Sequence, residues 1–253
     1  MNMVEWWTRS ELMPGEHDGC AASRMWRSAC YALEVPDAQQ LWDRIAKESP
    51  PDSLWHSLRN CVAYQAGVWQ NLLIKGVGDV TQPGPFKMAL VLRHTPTDVA
   101  VELMAEMLKE NPEAVDLTNY VVTLLTDDVS SCGGCLARAE IESSSSGSDS
   151  TSSEDSEPAV PQRDLQIFGD LELAVLSASR EEYDAHAKLV RAEYSKLTQK
   201  NYVELRIKIL NQLIQVPKLY QSPELECFEA LARENIDREI LTLREHLLTG
   251  QHD

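Results

Sequence analysis

The sequence lacks any apolar run that approaches the roughly 18 residues of a membrane-spanning helix, and no basic segment followed by an apolar one opens it. It is also short of positive charge, since 23 Lys and Arg face 40 Asp and Glu and leave a formal net charge of −17. This balance disfavours binding to nucleic acid or to an anionic membrane by bulk electrostatics. We therefore expect a cytosolic or nuclear protein that is neither secreted nor attached to a membrane.

Cysteines and strand patterns are equally scarce. Six cysteines are scattered over 253 residues, which predicts reduced thiols and not a disulfide framework. Cys132 and Cys135 have the spacing of a redox pair or of half a zinc site, but no βαβ pattern or further ligand lies nearby, so we interpret them as two loop cysteines. No segment alternates polar and apolar residues with period two, and no phosphate-binding G-x-G-x-x-G loop occurs. The predicted fold class is all-α.

Helical periodicity is present along most of the chain. Residues 1–24 are predicted to be a flexible lead-in, and residues 25–139 the first part of a helical domain. In that part we expect a helix from Asp37, a second one capped by Asp52 and extending to residue 75, and a loop over 76–85. An apolar segment follows at 86–92. Two further helices are predicted. The first has Thr95 as its N-cap and Pro96 at its first helical position, and the second begins after Asn111.

A segment of different composition interrupts the domain at residues 140–160. Between residues 140 and 158 it contains nine serines, six acidic residues and no basic residue. Such a segment buries too little apolar surface to offset its chain entropy, so we predict a disordered insert. Ser146, Thr151 and Ser152 each have an acidic residue three positions downstream, the pattern read by acidophilic kinases. The insert is therefore predicted to be phosphorylated, with an inert solubilising spacer as the alternative.

The second part of the domain is predicted to cover residues 161–250. Ser179 and Glu182 form a capping box for one helix, and another helix runs from Tyr202 to Val216, where Pro217 ends it. The last helix is predicted to start at Ser222-Pro223 and to run without interruption to Gly250.

Two motifs in this part resemble a known family. Phe168-Gly169-Asp170-Leu171-Glu172-Leu173 precedes Arg191-Ala192-Glu193-Tyr194, and the match continues through Leu210, Tyr220 and residues 232–235. The series resembles the C-terminal half of the predicted metal-dependent phosphohydrolases of the HD superfamily. The resemblance implies an HD-domain-like helical bundle in which a divalent metal activates water for attack on a phosphoester. Arg191, Glu193 and Tyr194 would then form an ion-pair and hydrogen-bond network between helices.

The metal-binding motifs of that family are altered in this sequence. The family's Y-H-x-L-x-H corresponds to residues 55–60, where His56 remains and the ligating histidine becomes Asn60. The family's W-F-H-D-x-V-Y-D corresponds to residues 91–98, where Arg93 replaces the histidine and His94 the aspartate. Of the ligands that the resemblance implies, only the late aspartate persists, as Asp170.

These substitutions favour a catalytically degenerate pseudoenzyme with a binding or regulatory role and no cofactor. Because a guanidinium stays charged at physiological pH, we predict that Arg93 occupies the former metal position and pairs with Asp170. The expected partner is an unknown protein or a small phosphorylated ligand.

Two other functions are open. The first is an active phosphohydrolase, on nucleotides or other phosphoesters, with a non-standard divalent-metal site of His56, His94, Asp98 and Asp170. The second is a helical interaction module whose acidic segment binds a partner. For His56 the simpler interpretation is a helix residue that is hydrogen-bonded to a neighbouring loop.

Overall fold

The computed structural model describes residues 20–48, 54–126 and 160–249, and all the regular elements in these ranges are helices. The predicted all-α class is confirmed. The predicted insert up to residue 159, with Ser146, Thr151 and Ser152, lies outside the described residues. The helices are α1 (Ala21–Ala32), α2 (Ala38–Glu48), α3 (Cys61–Ile74), α4 (Pro83–Leu92), α5 (Thr97–Met107), α6 (Ala114–Thr126), α7 (Gln162–Leu173), α8 (Arg180–Glu193), α9 (Gln199–Gln215), α10 (Pro223–Glu226) and α11 (Glu229–Thr249).

The core is built around α3 and α4, which are buried on most of their sides. Trp69 of α3 packs against Phe86 of α4 with ring centroids 4.8 Å apart, and Phe86 meets the edge of Phe168 on α7 at 5.6 Å. Helix α4 lies between α1 and α6, and α3 contacts both α1 and α7. A helix buried this completely shows no apolar stripe, which is why residues 86–92 could be recognised only as an apolar segment.

The second half of the domain packs α9 against α11, while a short 3₁₀ turn, Ala174–Ser177, contacts α11, α7 and α8. The two halves are joined by hydrogen bonds as well as by the packing of α7 on α3. Asp164 at the start of α7 accepts hydrogen bonds from the Thr81 N–H and from the Tyr120 hydroxyl of α6. Arg163 donates to the carbonyls of Val77 and Asp79. These contacts join the segments on both sides of residues 127–159.

Several local predictions are confirmed. The Ser179–Glu182 capping box is present, with each side chain bonded to the other residue's backbone N–H. Helices are present after Asp37, Thr95 and Asn111, as predicted, and the apolar residues at helical spacing in them are buried. These residues are Leu41, Trp42, Ile45, Leu103, Met104, Met107, Leu117, Val121 and Leu124.

The helix predicted to start at Asp52 begins at Cys61 instead. Residues 54–60 form bends and turns because Ser57 and Asn60 bind the backbone in a non-helical arrangement. The Ser57 hydroxyl and the Asn60 amide both donate to the Leu54 carbonyl, and the Asn60 N–H donates to the Ser57 hydroxyl. Side chains of this type compete with helical backbone hydrogen bonds. Asp52 itself is outside the described residues.

Other boundaries also differ from the predictions. Helix α1 begins at Ala21, inside the predicted lead-in, because Ala22 and Trp26 pack into the core and Cys20 Sγ caps the helix by accepting from the Ser23 N–H. The loop after Gly76 ends at Gln82, and Thr95 is not the cap of α5, whose N-cap is Pro96. The predicted last helix is divided into α10 and α11. None of the described helices is both long and apolar enough to cross a bilayer.

Candidate functional site

Arg93 lies at the C-terminal end of α4, where its side chain is 7% exposed. Its Nη2 donates a hydrogen bond to the Phe168 carbonyl, and the guanidinium lies over the Phe168 ring at 3.8 Å from the centroid. Its Nη1 is 3.8 Å from Oε2 of Glu172. The predicted pairing of Arg93 with Asp170 is therefore wrong. Arg93 pairs with Glu172, which lies one helical half-turn further along α7.

Asp170 is held by the segment before α10. Its carboxylate accepts hydrogen bonds from the Gln221 N–H at 2.8 Å, the Ser222 N–H at 2.7 Å and the Ser222 hydroxyl at 2.5 Å. Burial raises the pKa of Asp170, although the hydrogen bonds from Ser222 and Gln221 act against this rise. Through these three hydrogen bonds, Asp170 connects α7 to the start of α10. Ser222, predicted to start the last helix, contributes its side chain to this contact.

His56 and Glu193 form a second pair. The carboxylate of Glu193 accepts from the His56 N–H at 2.8 Å and lies 2.7 Å from His56 Nδ1. Burial acts to raise the pKa of Glu193, but the hydrogen bonds and charge of His56 outweigh it and hold this pKa below its usual range. The pair fixes the 54–60 segment to the end of α8. His56 is hydrogen-bonded, as in the simpler interpretation, but it lies in a bend and its partner lies on a helix.

His94 lies next to His56, with ring centroids 5.9 Å apart. Its Nε2 is buried and has no hydrogen-bond partner among the described residues. Burial, assisted by the nearby charges of His56 and Arg93, lowers the pKa of His94 to about 3. The ring is therefore neutral at physiological pH, because a charged imidazolium at this buried position is unfavourable.

The remaining members of the predicted metal set do not join these histidines. Asp98 is exposed in the first turn of α5, and Asp170 is bound to Gln221 and Ser222 in the segment before α10. Asn60, one of the altered positions, donates from its amide to the Leu54 carbonyl at 2.6 Å. Within residues 20–48, 54–126 and 160–249, no group of three or more His, Cys, Asp or Glu side chains could hold a metal ion.

The predicted scaffold network is divided into two. Arg191 donates to the carbonyls of Tyr194 and Leu197 and to the Gln199 side chain, so it closes the connection from α8 to α9. Its guanidinium also lies 4.7 Å from the centre of the Tyr202 ring. Glu193 belongs instead to the pair with His56. Arg191 and Glu193 each join two segments of the chain, but through separate partners and not through one shared network.

A cavity of about 30 Å³ lies between these groups. Its lining includes His56, Glu172, His186 and Arg206. The volume accommodates about two water molecules. His186 is 5% exposed, its ring stands edge-on to Trp55 at 4.5 Å, and its Nδ1 has no partner among the described residues. Burial, with the charges of Arg206 and His56, lowers the pKa of His186 well below its usual value.

Beside the cavity, Arg206 of α9 and Glu239 of α11 form a buried ion pair that sequence reasoning missed. The two nitrogens Nε and Nη2 bind the carboxylate at 2.8 and 3.0 Å, and the Tyr183 hydroxyl donates to the same carboxylate at 2.6 Å. A signal was available in the sequence. Arg206 falls on the stripe of Tyr202, Ile209 and Leu213, and Glu239 lies among Ile236 and Ile240, so two opposite charges occupy core-facing positions.

Comparisons of the chain with protein-family models, with curated proteins and with solved structures give no significant match. The HD-superfamily resemblance therefore depends on the quoted motif residues and stays a prediction.

Proposed function

We propose that this chain is a catalytically degenerate relative of the HD phosphohydrolases that acts as a binding or regulatory protein. The observation that carries the proposal is the position of Arg93, whose guanidinium lies between the Phe168 ring and Glu172 with 7% of its side chain exposed. In the motif comparison this residue takes the place of a metal-binding histidine. At that position the charge of Arg93 pairs with the Glu172 carboxylate, so no bound metal is required to neutralise it.

The residues at the matched positions do not fit a divalent metal. A metal ligand must offer a lone pair, and Arg93 has none to give. Asp170 already accepts three hydrogen bonds from Gln221 and Ser222. Asp98 lies on the exposed side of α5.

The size of the cavity also supports a role without hydrolysis. Its volume is about 30 Å³, whereas pockets for drug-sized ligands measure roughly 300–1,000 Å³. A phosphoester would have to displace Trp55 or Leu176, both of which are buried in the cavity wall. A regulatory partner, whether a protein or a small phosphorylated ligand, would accordingly bind at the outer surface of the helices.

Hydrolysis assays on the full chain test the proposal. The purified protein is incubated with Mn²⁺ or Mg²⁺ and with nucleotides or generic phosphomonoesters and diesters. We expect no release of phosphate above the level of a protein-free blank. Metal-dependent turnover that disappears in both His56→Ala and Asp170→Ala would overturn the proposal and favour the active enzyme with a non-standard ligand set.

A variant that carries the family's metal-binding residues tests the motif comparison. The combination Asn60→His, Arg93→His and His94→Asp returns the residues that the family carries at these positions and is expected to increase Mn²⁺ affinity over wild type. Asn201→His, at an exposed position of α9, adds a histidine without touching the site and serves as the matched control. Equal Mn²⁺ affinity of the restored variant and the control would count against the motif alignment.

A further inference from the structure

The cavity of about 30 Å³ has a wall that is partly polar. Apolar side chains form most of the wall, but it also includes the polar side chains of His56, Glu172, His186 and Arg206. These four residues come from separate parts of the chain, namely the 54–60 segment, α7, α8 and α9. A cavity lined by apolar groups alone stays empty, whereas one with several polar groups retains water.

His186 is the residue of this wall whose hydrogen bonding is incomplete. It is 5% exposed, and its Nδ1 has no partner among the described residues. Burial lowers the pKa of His186 well below its usual value, so the ring is neutral and has one N–H donor and one acceptor nitrogen. Buried polar groups in native proteins are hydrogen-bonded to the chain or to ordered water, because leaving them unpaired is costly. An occupant of the cavity can supply the partner that the chain does not.

The other polar side chains of the wall also have hydrogen-bonding capacity beyond their ion pairs. The bonds from Arg206 to Glu239 use Nε and Nη2, which leaves Nη1 as a further donor. His56 uses its backbone N–H and Nδ1 for Glu193, so Nε2 lies outside that pair. The Glu172 carboxylate can accept about four hydrogen bonds in all. The wall therefore has both donors and acceptors for a small occupant.

The charges around the cavity favour a neutral occupant. Arg206 is bound to Glu239, and Glu172 lies against Arg93, while the ring of His186 is neutral. An ion in the cavity would lose its hydration without meeting an unpaired charge, which is costly in a protein interior. A water molecule can donate and accept hydrogen bonds at the same wall and needs only about 10–15 Å³.

We propose that the cavity is an internal hydration site that holds two water molecules. One of them binds the ring of His186, and together they connect this ring to Arg206 and Glu172. Through these waters and His56, the 54–60 segment, α7, α8 and α9 share one hydrogen-bonded centre. Buried waters of this kind are part of the folded structure and are costly to remove.

A crystal structure of the full chain tests the site directly. We expect two electron-density peaks in the cavity, at about 2.7–3.2 Å from polar atoms of its wall. Crystals grown in bromide separate water from an anion, because bromide gives an anomalous signal and water does not. A cavity without density, or an anomalous peak inside it, would overturn the proposal.

Oxygen-17 magnetic relaxation dispersion tests the site in solution, because it counts the water molecules that stay in the protein for longer than its tumbling time. His186→Phe removes the polar ring and fills part of the cavity with a larger apolar one. We expect this variant to hold about one or two fewer long-lived waters per chain than wild type. His246→Phe makes the same chemical change at an exposed position of α11 and should retain the wild-type number.

A second substitution keeps the test valid if His186→Phe does not fold. Val190→Ile adds one methyl group to the cavity wall and leaves every polar group in place, so it should also lower the number of long-lived waters. Val101→Ile, at an exposed position of α5, is its matched control. The same number of long-lived waters in wild type and in every folded cavity variant would contradict the proposal.

Discussion

At the scale of single residues, Arg93 joins the end of α4 to α7. It combines a hydrogen bond to the Phe168 carbonyl, a cation–π contact with the Phe168 ring and an ion pair with Glu172. Its Nη1 has no direct hydrogen bond among the described residues, so the ion pair at 3.8 Å is the weakest of the three contacts. The guanidinium is therefore oriented by its packing on Phe168 as well as by the charge of Glu172.

Replacing this arginine tests that description. We expect Arg93→Met to lower the free energy of unfolding by about 2–4 kcal/mol, because a hydrogen bond from a charged group and a buried cation–π contact are lost together. Denaturant unfolding followed by circular dichroism measures the change. Arg44→Met is the control, because Arg44 forms exposed ion pairs with Glu102 and Glu106 that are worth about 0–1 kcal/mol. Equal effects of the two substitutions would contradict the description.

His186 is predicted to make the fold sensitive to acid. Its pKa in the folded chain is well below the usual value, so at pH values below about 6.5 the unfolded chain binds a proton that the folded chain excludes. Stability is therefore complete above pH 6.5 and falls with decreasing pH, by up to about 1.4 kcal/mol per unit from this one group.

The variant His186→Phe should show a shallower loss of stability between pH 7 and pH 5, measured from urea unfolding curves at each pH. The buried His94 contributes to the slope in both proteins, so the difference between them isolates His186. His246→Phe, at an exposed position of α11, is the matched control for the replacement of a histidine by phenylalanine. Parallel stability curves for wild type and His186→Phe would show that protonation of His186 is not excluded in the folded state.

At the scale of helices, α9 and α11 are held together by the Arg206–Glu239 pair with Tyr183. Removal of one partner leaves a buried charge uncompensated, so Glu239→Leu is expected to lower the free energy of unfolding by about 3–5 kcal/mol. In the triple variant Arg206→Met, Glu239→Leu and Tyr183→Phe, the polar groups are replaced by apolar ones of similar size.

We expect the triple variant to regain most of the stability lost in Glu239→Leu, because buried ion pairs contribute little compared with well-packed apolar residues. Chemical denaturation of the two variants and of wild type gives the comparison. If the triple variant is as unstable as the single one, the three polar groups contribute cooperatively, and the α9–α11 contact depends on their hydrogen bonds.

The sequence predicts the helices well where one face is apolar and the other polar, and it fails where other interactions decide the structure. Leu103, Met104 and Met107 have helical spacing on an amphipathic helix, and their burial follows from it. Residues 54–60 continue the apolar spacing of α3, but Ser57 and Asn60 form local hydrogen bonds that end the helix.

The candidate site illustrates the same limit through partner choice. The motif comparison brings Arg93 near α7, where Asp170 and Glu172 are two residues apart. Two residues on a helix point in different directions, so Asp170 meets Ser222 while Glu172 faces Arg93. The segment before α10 binds Asp170 and leaves Glu172 for Arg93. The position of that segment cannot be read from the local sequence.

At the scale of the whole molecule, residues 127–159 separate two halves that are already joined by Asp164, Arg163 and the packing of α7 on α3. Deletion of residues 141–157 is therefore expected to lower the melting temperature by less than about 4 °C, roughly the effect of 1 kcal/mol in a domain of this size. Shortening a flexible connection itself changes stability by only about 0.6 kcal/mol per halving of its length.

Thermal unfolding followed by circular dichroism measures this effect. A Gly/Ser segment of the same length in place of 141–157 is the matched control, because it separates the effect of length from that of the acidic side chains. A decrease of more than ten degrees in the deletion variant alone would show that the length of the segment is required by the helical core.

We propose that Arg93 supplies from within the chain the positive charge that a metal would bring, so that the folded domain binds no metal. Elemental analysis of the purified wild-type chain, followed by calorimetric titration with Mn²⁺, tests it most directly. We expect less than one tenth of a metal ion per chain and no saturable heat of binding. A stoichiometry of one tightly bound ion per chain that is lost in both His56→Ala and Asp170→Ala would contradict the claim.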